Sequence, residues 1–253
     1  MTVADHLAIE VRGLSHSYDG RPVVEGVVLA VESGEFVSIV GPSGGGKTTI
    51  LKVLAGLLVP DRGSAEVHGE SAIGTFGKLA YMPQRDQLLP WRRALDNAIL
   101  GAQIRGRKPV EVRVEAQALF AQFGLSGHEH SWPSELSGGM RQRLAVLRTF
   151  LAGFDTLLLD EPFSALDALT RRHMHTWLQE IWLADQRTVL MVTHDVEEAL
   201  LLSDRVIVLT LRPARVAAVF TSPFERPRSI DAVSAPEFVA AKAAVLRALD
   251  SPA

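Results

Sequence analysis

The chain contains no cysteine among its 253 residues. Disulfide bonds and cysteine-ligated metal sites are therefore excluded. No apolar run approaches about 18 residues, the length that a membrane-spanning helix needs. Residues 1–6 have neither the basic nor the apolar segment of a signal peptide. These absences predict a cytoplasmic protein, which would act in a membrane process by docking to another chain.

An excess of charge of one sign is also absent. The net charge is −3 and the isoelectric point is about 6.2, so no global basic excess points to nucleic acid. Neither sustained heptads nor internal repeats occur, which argues against a long coiled coil and against a tandem array. A hydrophobic share of 47% is ordinary for a globular protein. The length allows one large domain or two closely joined lobes.

A glycine-rich stretch at residues 41–49 is the feature around which the chain is organised. The apolar run 36–40 predicts a buried strand before it, and residues 48–57 predict a helix after it. Glycines let backbone N–H groups turn inward toward an anion, and the helix dipole adds positive potential. This context predicts a phosphate-binding loop rather than an ordinary turn. Its predicted binding residues are Gly41, Pro42, Ser43, Gly44, Gly45, Gly46, Lys47, Thr48 and Thr49.

Alternating and apolar runs around this loop predict an α/β fold. Two strands, 7–14 and 23–31, are separated by a turn-like stretch at 15–20 and are antiparallel candidates. Further strands are predicted at 65–68, 79–82, 156–159, 189–192, 205–209 and 215–220, and further helices at 138–151, 168–183 and 196–202. Residues 86–136 predict a mostly helical insertion between strands.

Polar residues follow several of these predicted strands. The strand at 156–159 ends in Asp160 and Glu161, and His194 follows the strand at 189–192. Active sites of parallel α/β sheets lie at the carboxyl ends of strands. Two adjacent carboxylates at a buried strand end repel each other unless a cation lies nearby. This pattern predicts a cation-assisted site.

Two other segments have less certain roles. The loop 85–91 contains Leu88, Leu89, Pro90 and Trp91, which either bury inward or form a contact patch. The segment after residue 220 is proline-rich and ends in a predicted helix at 236–249. Its apolar side predicts that this helix packs back on the body of the protein.

The motifs, taken in order, resemble the ATP-binding cassette (ABC) ATPase family over about residues 7–220. The decisive ones are the phosphate loop, Leu136-Ser137-Gly138-Gly139-Met140 and Asp160-Glu161-Pro162. The resemblance implies a P-loop NTPase core with an antiparallel β subdomain and a helical signature subdomain. It places an ABC ATPase domain at 1–220, with the helical subdomain at about 86–150, and a C-terminal segment and helix at 221–253.

The resemblance also implies the cofactors ATP and Mg²⁺ and a set of residue roles. Tyr18 would stack on adenine, and Glu161 would be the general base. Lys47, Gln84 and His194 would complete the catalytic group, with His194 contacting the γ-phosphate. The implied metal ligands are Thr48, Gln84 and Asp160.

A second subunit is implied as well. One chain offers no cover for the far side of the γ-phosphate, and in the family Ser137, Gly138 and Gly139 of a partner supply it. Asp167 would reach across the same interface. The working unit is therefore expected to be a dimer that ATP closes and hydrolysis opens.

Within the family, the loop 88–91 and the segment 204–215 resemble importers of the nitrate, sulfonate and taurine group. This implies transmembrane permease subunits and a periplasmic or lipoprotein solute-binding protein as partners, no nucleic acid, and a peripheral location at the cytoplasmic face of the membrane. The identity of the solute, which is nitrate-, sulfonate- or taurine-like or a related small organic such as a pyrimidine precursor, stays open. A soluble ABC ATPase acting on nucleic acid or the ribosome is the alternative. A P-loop kinase would leave Ser137 and His194 without roles.

Overall fold

The computed structural model describes residues 7–250 and contains two β-sheets. The smaller sheet is antiparallel, with strand order β2-β1-β4-β5. Its strands alternate buried and exposed residues, as expected when one sheet face packs on a core. Its strands are β1 (Leu7–Tyr18), β2 (Arg21–Glu32), β4 (Arg62–Val67) and β5 (Glu70–Ser71).

The larger sheet has six strands in the order β10-β9-β3-β8-β7-β6. All neighbouring pairs are parallel except β9 with β10. Every residue of β3, β7 and β8 is buried, as expected for parallel strands covered on both faces. The strands are β3 (Phe36–Val40), β6 (Ala80–Met82), β7 (Thr156–Asp160), β8 (Thr188–Thr193), β9 (Arg205–Leu209) and β10 (Val216–Thr221).

Helices fill the chain between β6 and β7. They pack on a large apolar cluster that includes Phe120, Phe123, Leu144 and Trp177. Ser137 begins the last of them, because its hydroxyl accepts the backbone N–H of Met140. These helices are α2 (Ala94–Ala98), α3 (Leu100–Ile104), α4 (Pro109–Gln122) and α5 (Gly138–Leu151).

The other helices flank the larger sheet. The last one packs back on the protein as predicted, with Phe238 and Val245 buried against Val196 and Leu200. No helix within residues 7–250 is both long and apolar enough to cross a bilayer. The helices are α1 (Lys47–Leu54), α6 (Ala168–Asp185), α7 (Val196–Leu202) and α8 (Pro236–Asp250). The expectation about a signal peptide concerns residues 1–6, which lie outside the described ones.

The structure corrects several predicted boundaries. β1 continues through the predicted turn to Tyr18, because Ser17 and Tyr18 pair with the start of β2. Helix α1 stops at Leu54 rather than at residue 57, and Gly56 follows with a φ of 75°. The helical pattern from residue 95 is divided into three helices, and the short strand β5 was not predicted.

Candidate nucleotide-binding site

The glycine-rich loop joins β3 to α1 at the carboxyl edge of the larger sheet. It forms one wall of a cavity of about 480 Å³. The opposite walls come from the end of β1 and from the segments that follow β6, β7 and β8. The cavity is lined by Tyr18, Val23, Ser43, Gly44, Gly45, Gly46, Lys47, Thr48, Thr49, Lys52, Gln84, Glu161, His194 and Arg212.

Gly46 is the position in this loop where a side chain is least tolerable. Its φ is 84°, a left-handed conformation that glycine adopts readily. A Cβ atom there would lie 2.8 Å from Cγ2 of Val24 and 2.9 Å from the carbonyl oxygen of Val23. The close approach of β2 therefore requires glycine at the start of α1, where free backbone N–H groups can face an anion.

Lys47 is 5% exposed and lies under the loop. Its Nζ atom donates to the carbonyl oxygens of Gly41 at 2.7 Å and Pro42 at 2.9 Å. Burial lowers the pKa of Lys47, and the nearby carboxylates of Glu161 and Asp160 partly offset this effect. An ammonium group has three donors. Two hold the loop, and one is left for a phosphate oxygen in the cavity.

Asp160 ends β7 and is 1% exposed. Its Oδ1 atom accepts a hydrogen bond from Oγ1 of Thr48 at 3.2 Å, while its buried Oδ2 atom has no hydrogen-bond partner among residues 7–250. Burial raises the pKa of Asp160, and the neighbouring Glu161 adds to the rise. A buried carboxylate oxygen without a partner, beside a hydroxyl, is a donor set that suits Mg²⁺.

The residues that follow three neighbouring strands meet at the side chain of Glu161. Gln84 follows β6, and its Nε2 atom donates to Oε2 of Glu161 at 3.2 Å. His194 follows β8, and its Nδ1 atom lies 3.4 Å from the same oxygen. Since β6, β7 and β8 are adjacent in the sheet, the strand order explains why Gln84, Glu161 and His194 meet.

The backbone of Glu161 is held in an uncommon conformation, with a φ of 50°. Its N–H donates to the carbonyl oxygen of Val192 at 2.8 Å, and its own carbonyl accepts from Nε2 of Gln142 at 3.2 Å. Left-handed conformations of non-glycine residues are costly and cluster at functional sites. The flanking hydrogen bonds keep this carboxylate aimed at the cavity.

Tyr18 lies at the mouth of the cavity, at the last position of β1. Its ring packs edge-on against His16 with ring centroids 4.7 Å apart, and the residue remains 42% exposed. An aromatic ring held in this way can stack on a planar base.

Seven predicted residues do not line the cavity. Three of them, Gly41, Pro42 and Asp160, are hydrogen-bonded to Lys47 or Thr48, which do line it. The other four lie apart from the cavity. Ser137 and Gly138 are exposed at the start of α5, and Gly139 follows them. Asp167 caps α6, because its Oδ1 atom accepts the N–H groups of Leu169 and Thr170 at 3.1 and 3.0 Å. Within one chain these four residues therefore do not meet the other predicted site residues.

Two contacts at the site were not assigned from the sequence. Nε of Arg212 donates to the carbonyl oxygen of Gly44, which braces the phosphate loop from the β9–β10 connection. Gln142 supports the backbone of Glu161 from α5. Both residues stand in segments that resemble the family. Neither contact could be predicted from a local sequence pattern, because each joins positions far apart in the chain.

Comparisons with known proteins identify the family of this chain. The ABC transporter family matches residues 24–164, which is more than half of the chain. The chain belongs to the ABC transporter family. It is an ATP-binding, ATP-hydrolysing cassette of that family, and its predicted fold class is confirmed.

Curated relatives cover most of this ABC cassette. It is 47% identical over 210 residues to the aliphatic sulfonates import ATP-binding protein SsuB 1 of Rhodococcus jostii, covering 83% of this chain and 82% of that one. It is 46% identical to the formylaminopyrimidine import ATP-binding protein ThiZ of Halalkalibacterium halodurans, covering 76% and 75%. It is 44% identical to the taurine import ATP-binding protein TauB of Mesorhizobium japonicum, covering 87% and 86%.

Solved structures of ABC cassettes are similar in fold. The dimeric structure of the bacterial ABC transporter cassette MJ0796 superposes with a TM-score of 0.78 at 27% identity, covering 86% of this chain and all of that one. A dimeric post-hydrolysis structure of MJ0796 with ADP and phosphate gives a TM-score of 0.76 at 25% identity, with the same coverage.

Proposed function

We propose that this chain is the energy-coupling ATPase subunit of an importer for a small solute. The observation that carries the proposal is the convergence of Gln84 and His194 on Glu161 beside a phosphate loop. The import relatives direct the proposal to transport rather than to nucleic acid or the ribosome. Sulfonates, taurine, nitrate and pyrimidine precursors define the class of solute that we propose.

The residues divide the chemistry as follows. The phosphate loop and Lys47 bind the β- and γ-phosphates, while Tyr18 stacks on the adenine. Mg²⁺ would be held by Thr48, Gln84 and Asp160 and would neutralise phosphate charge.

Glu161 orients the attacking water and accepts its proton. The Nδ1 atom of His194 lies 3.4 Å from that carboxylate, so the imidazole can bridge Glu161 and the γ-phosphate. Phosphoryl transfer needs little more than this alignment and charge neutralisation.

A second copy would complete the site. Ser137 and Gly138 are exposed at the N-terminus of α5, a helix of 14 residues. We propose that they and Gly139 cover the γ-phosphate held by a second subunit, with Asp167 at the same interface. The dimeric cassettes of similar fold support this arrangement.

The permease would dock on an apolar groove beside the Gln84 loop. This groove has a volume of about 640 Å³, and Pro83 and Gln87 on either side of Gln84 both line it. A short permease helix seated there would push on the loop that carries Gln84 to Glu161. Trp91, four residues after Gln87, is exposed and lines a separate hollow with Trp132, and we include it in the proposed docking surface. The groove's apolar lining includes Leu57, Leu79, Leu100, Ile104 and Phe154.

The proposal extends to the division of the chain and to its assembly. The ATPase domain would occupy residues 1–220, with its helical subdomain at about 86–150 and a C-terminal segment at 221–253. The assembly would include a periplasmic or lipoprotein solute-binding protein and would hold this chain at the cytoplasmic face of the membrane. ATP-driven closure and opening of the dimer would move the permease.

The test is co-purification from detergent-solubilised cells, using the tagged full chain and its Trp91→Ala variant. We expect a polytopic membrane protein in roughly equal amount with the wild type and less of it with the variant. Proteoliposomes containing that complex would then be assayed for uptake of an alkanesulfonate, taurine, nitrate and a formylaminopyrimidine. Recovery of ribosomal or nucleic-acid-binding proteins without a membrane protein would overturn the importer proposal.

A further inference from the structure

His194 lies between strand β8 and helix α7. His194 and Asp195 immediately precede this helix, and Asp195 caps it by accepting the N–H groups of Glu197 at 2.9 Å and Glu198 at 3.1 Å. The helix is seven residues long and mostly buried. A shift of α7 along its axis would therefore move His194 relative to Glu161.

Two arginines from the C-terminal segment close the other end of α7. Arg228 donates from Nη1 to three carbonyl oxygens there, and Arg226 donates from Nη2 to a fourth. The last carbonyls of a helix lack intrahelical partners, and cations favour that end of the helix dipole. The four acceptors are consecutive: Leu200 at 3.1 Å, Leu201 at 3.2 Å, Leu202, and Ser203 at 2.7 Å.

The two arginines are also hydrogen-bonded to other parts of the ATPase. The backbone of Arg228 exchanges two hydrogen bonds with the side chain of Gln179 in α6, at 2.9 and 3.0 Å. Arg226 donates to Oδ1 of Asp204 at 2.8 Å, and Oδ2 of Asp204 accepts the N–H of Phe36 at 3.0 Å. The C-terminal segment thus links α7 to the strand that leads into the phosphate loop.

Helix α8 contacts the N-terminal end of α7 as well. Lys242 pairs with Glu197, three residues after His194. Phe238 and Val245 pack in the same apolar cluster as Val196. The segment after residue 220 therefore contacts α7 at both ends.

We propose that the C-terminal segment, through Arg226 and Arg228, is a positioning element for His194 and sets the rate of ATP hydrolysis without touching nucleotide. The inference rests on the proposed role of His194 at the γ-phosphate. Displacements on the scale of 1 Å at a catalytic group can lower the rate about a hundredfold. Small shifts of α7, which the two arginines restrain, could therefore change the rate of hydrolysis.

The chemistry of Arg228 suits this role. Arg228 is 6% exposed, and burial lowers its pKa to about 10, an effect that Arg226 adds to. The guanidinium therefore keeps its charge at neutral pH. Its planar group of donors reaches several carbonyls at once, which a lysine does less completely.

The test measures kcat, KM for ATP and nucleotide affinity on full-length variants, with kcat expressed per bound nucleotide. We expect Arg228→Gln to lower kcat about tenfold or more and to leave the dissociation constant of a fluorescent ATP analogue within about twofold. Arg228→Lys should recover part of kcat, because an ammonium reaches some of the carbonyls. Arg12→Gln, an exposed site on the antiparallel sheet, is the control and should match the wild type.

Lys242→Gln provides a milder second variant, since Lys242 is partly exposed and its loss leaves no buried group without a partner. We expect about a twofold to threefold fall in kcat with unchanged nucleotide affinity. If Arg228→Gln does not fold, Arg228→Lys and Lys242→Gln decide the matter, and wild-type kcat in both would overturn the proposal.

His194→Ala separates this inference from the proposed function. Slow hydrolysis in His194→Ala with normal hydrolysis in Arg228→Gln would overturn the positioning role alone. Normal hydrolysis in His194→Ala would instead overturn the role of His194 at the γ-phosphate. Equal losses of kcat and of nucleotide binding in Arg228→Gln would mean that the arginine serves general stability, which also contradicts the proposal.

Discussion

At the scale of single residues, Lys47 combines deep burial with one unused donor. Lys47→Ala removes the positive charge that faces the terminal phosphates. We expect ATP binding or turnover to fall at least tenfold. Nucleotide titration and steady-state hydrolysis measure this. Lys108→Ala, at a side chain that is 80% exposed, should leave both unchanged, and undiminished hydrolysis in Lys47→Ala would contradict the role of the loop.

Asp160 shows how a site residue can lower the stability of the empty protein. Burial raises its pKa, so the ionised carboxylate is disfavoured in the folded state. A raised folded pKa means that the free energy of unfolding falls as pH rises from the unfolded pKa through the folded pKa, and the full cost is present above the folded pKa. Occupation by a cation would remove that cost.

Asp160→Asn tests this account in two directions. Without metal, loss of the buried charge should raise the melting temperature by about 2–4 °C for each kcal/mol gained. With ATP and Mg²⁺, hydrolysis should fall about a hundredfold. Differential scanning fluorimetry and phosphate release measure the two effects. A melting temperature lowered without metal would show that the carboxylate stabilises the empty fold.

Most of the predicted site follows from strand ends. Gln84, Glu161 and His194 meet because each stands just after the end of a predicted strand, and Lys47 and Thr48 begin the helix that the phosphate loop joins to another strand end. In a parallel sheet, consecutive strand ends share one edge. The supporting contacts of Arg212 and Gln142 could not be predicted this way, since they depend on how distant loops and helices pack.

At the scale of elements, the loop 85–91 divides between burial and exposure. Leu88 is 8% exposed, whereas Trp91 is 70% exposed. From the sequence, the apolar residues of this loop could be either buried or exposed. In the structure, Leu88 is buried and Trp91 is exposed. Alternation of burial over a few residues of irregular structure has no periodic signal.

This division yields a matched pair of variants. Trp91→Ala should keep basal ATP hydrolysis and the melting temperature, because the side chain packs little within the chain. Leu88→Ala should lower the free energy of unfolding by about 2–5 kcal/mol. Coupling of hydrolysis to the permease should fall in Trp91→Ala. Loss of basal hydrolysis in that variant would place Trp91 in the fold rather than at an interface.

Boundaries of elements differ from prediction for local physical reasons. Residues 15–18 read as a turn because they are polar, but cross-strand pairing to the start of β2 keeps them extended. That extension brings Tyr18 to the cavity. The helical region after residue 94 breaks at residues 99 and 105–108, which include Gly106 and precede Pro109.

At the scale of the whole molecule, the C-terminal segment connects the sheet, α6 and α7. Its helix was predictable from an apolar stripe. The arginine contacts were not, because Arg228 reaches carbonyls 25–28 positions away in the chain. Side chains that bind backbone carbonyls leave no periodic pattern in the sequence.

One chain holds a nucleotide cavity open on one side, and its signature residues lie elsewhere on the same chain. Ser137 and Gly138 are exposed, and neither lines the cavity. Two copies placed head to tail would bring each signature segment over the partner's nucleotide. Closure driven by two ATP molecules is the central claim of this account.

The most direct test uses Glu161→Gln, which should bind ATP and hydrolyse it very slowly. Light scattering after size exclusion would measure the mass of the full chain with ATP and Mg²⁺, with ADP, and without nucleotide. We expect a dimer with ATP and a monomer in the other two conditions, and a smaller dimer fraction when Ser137→Ala is added. A monomer at saturating ATP would contradict this expectation.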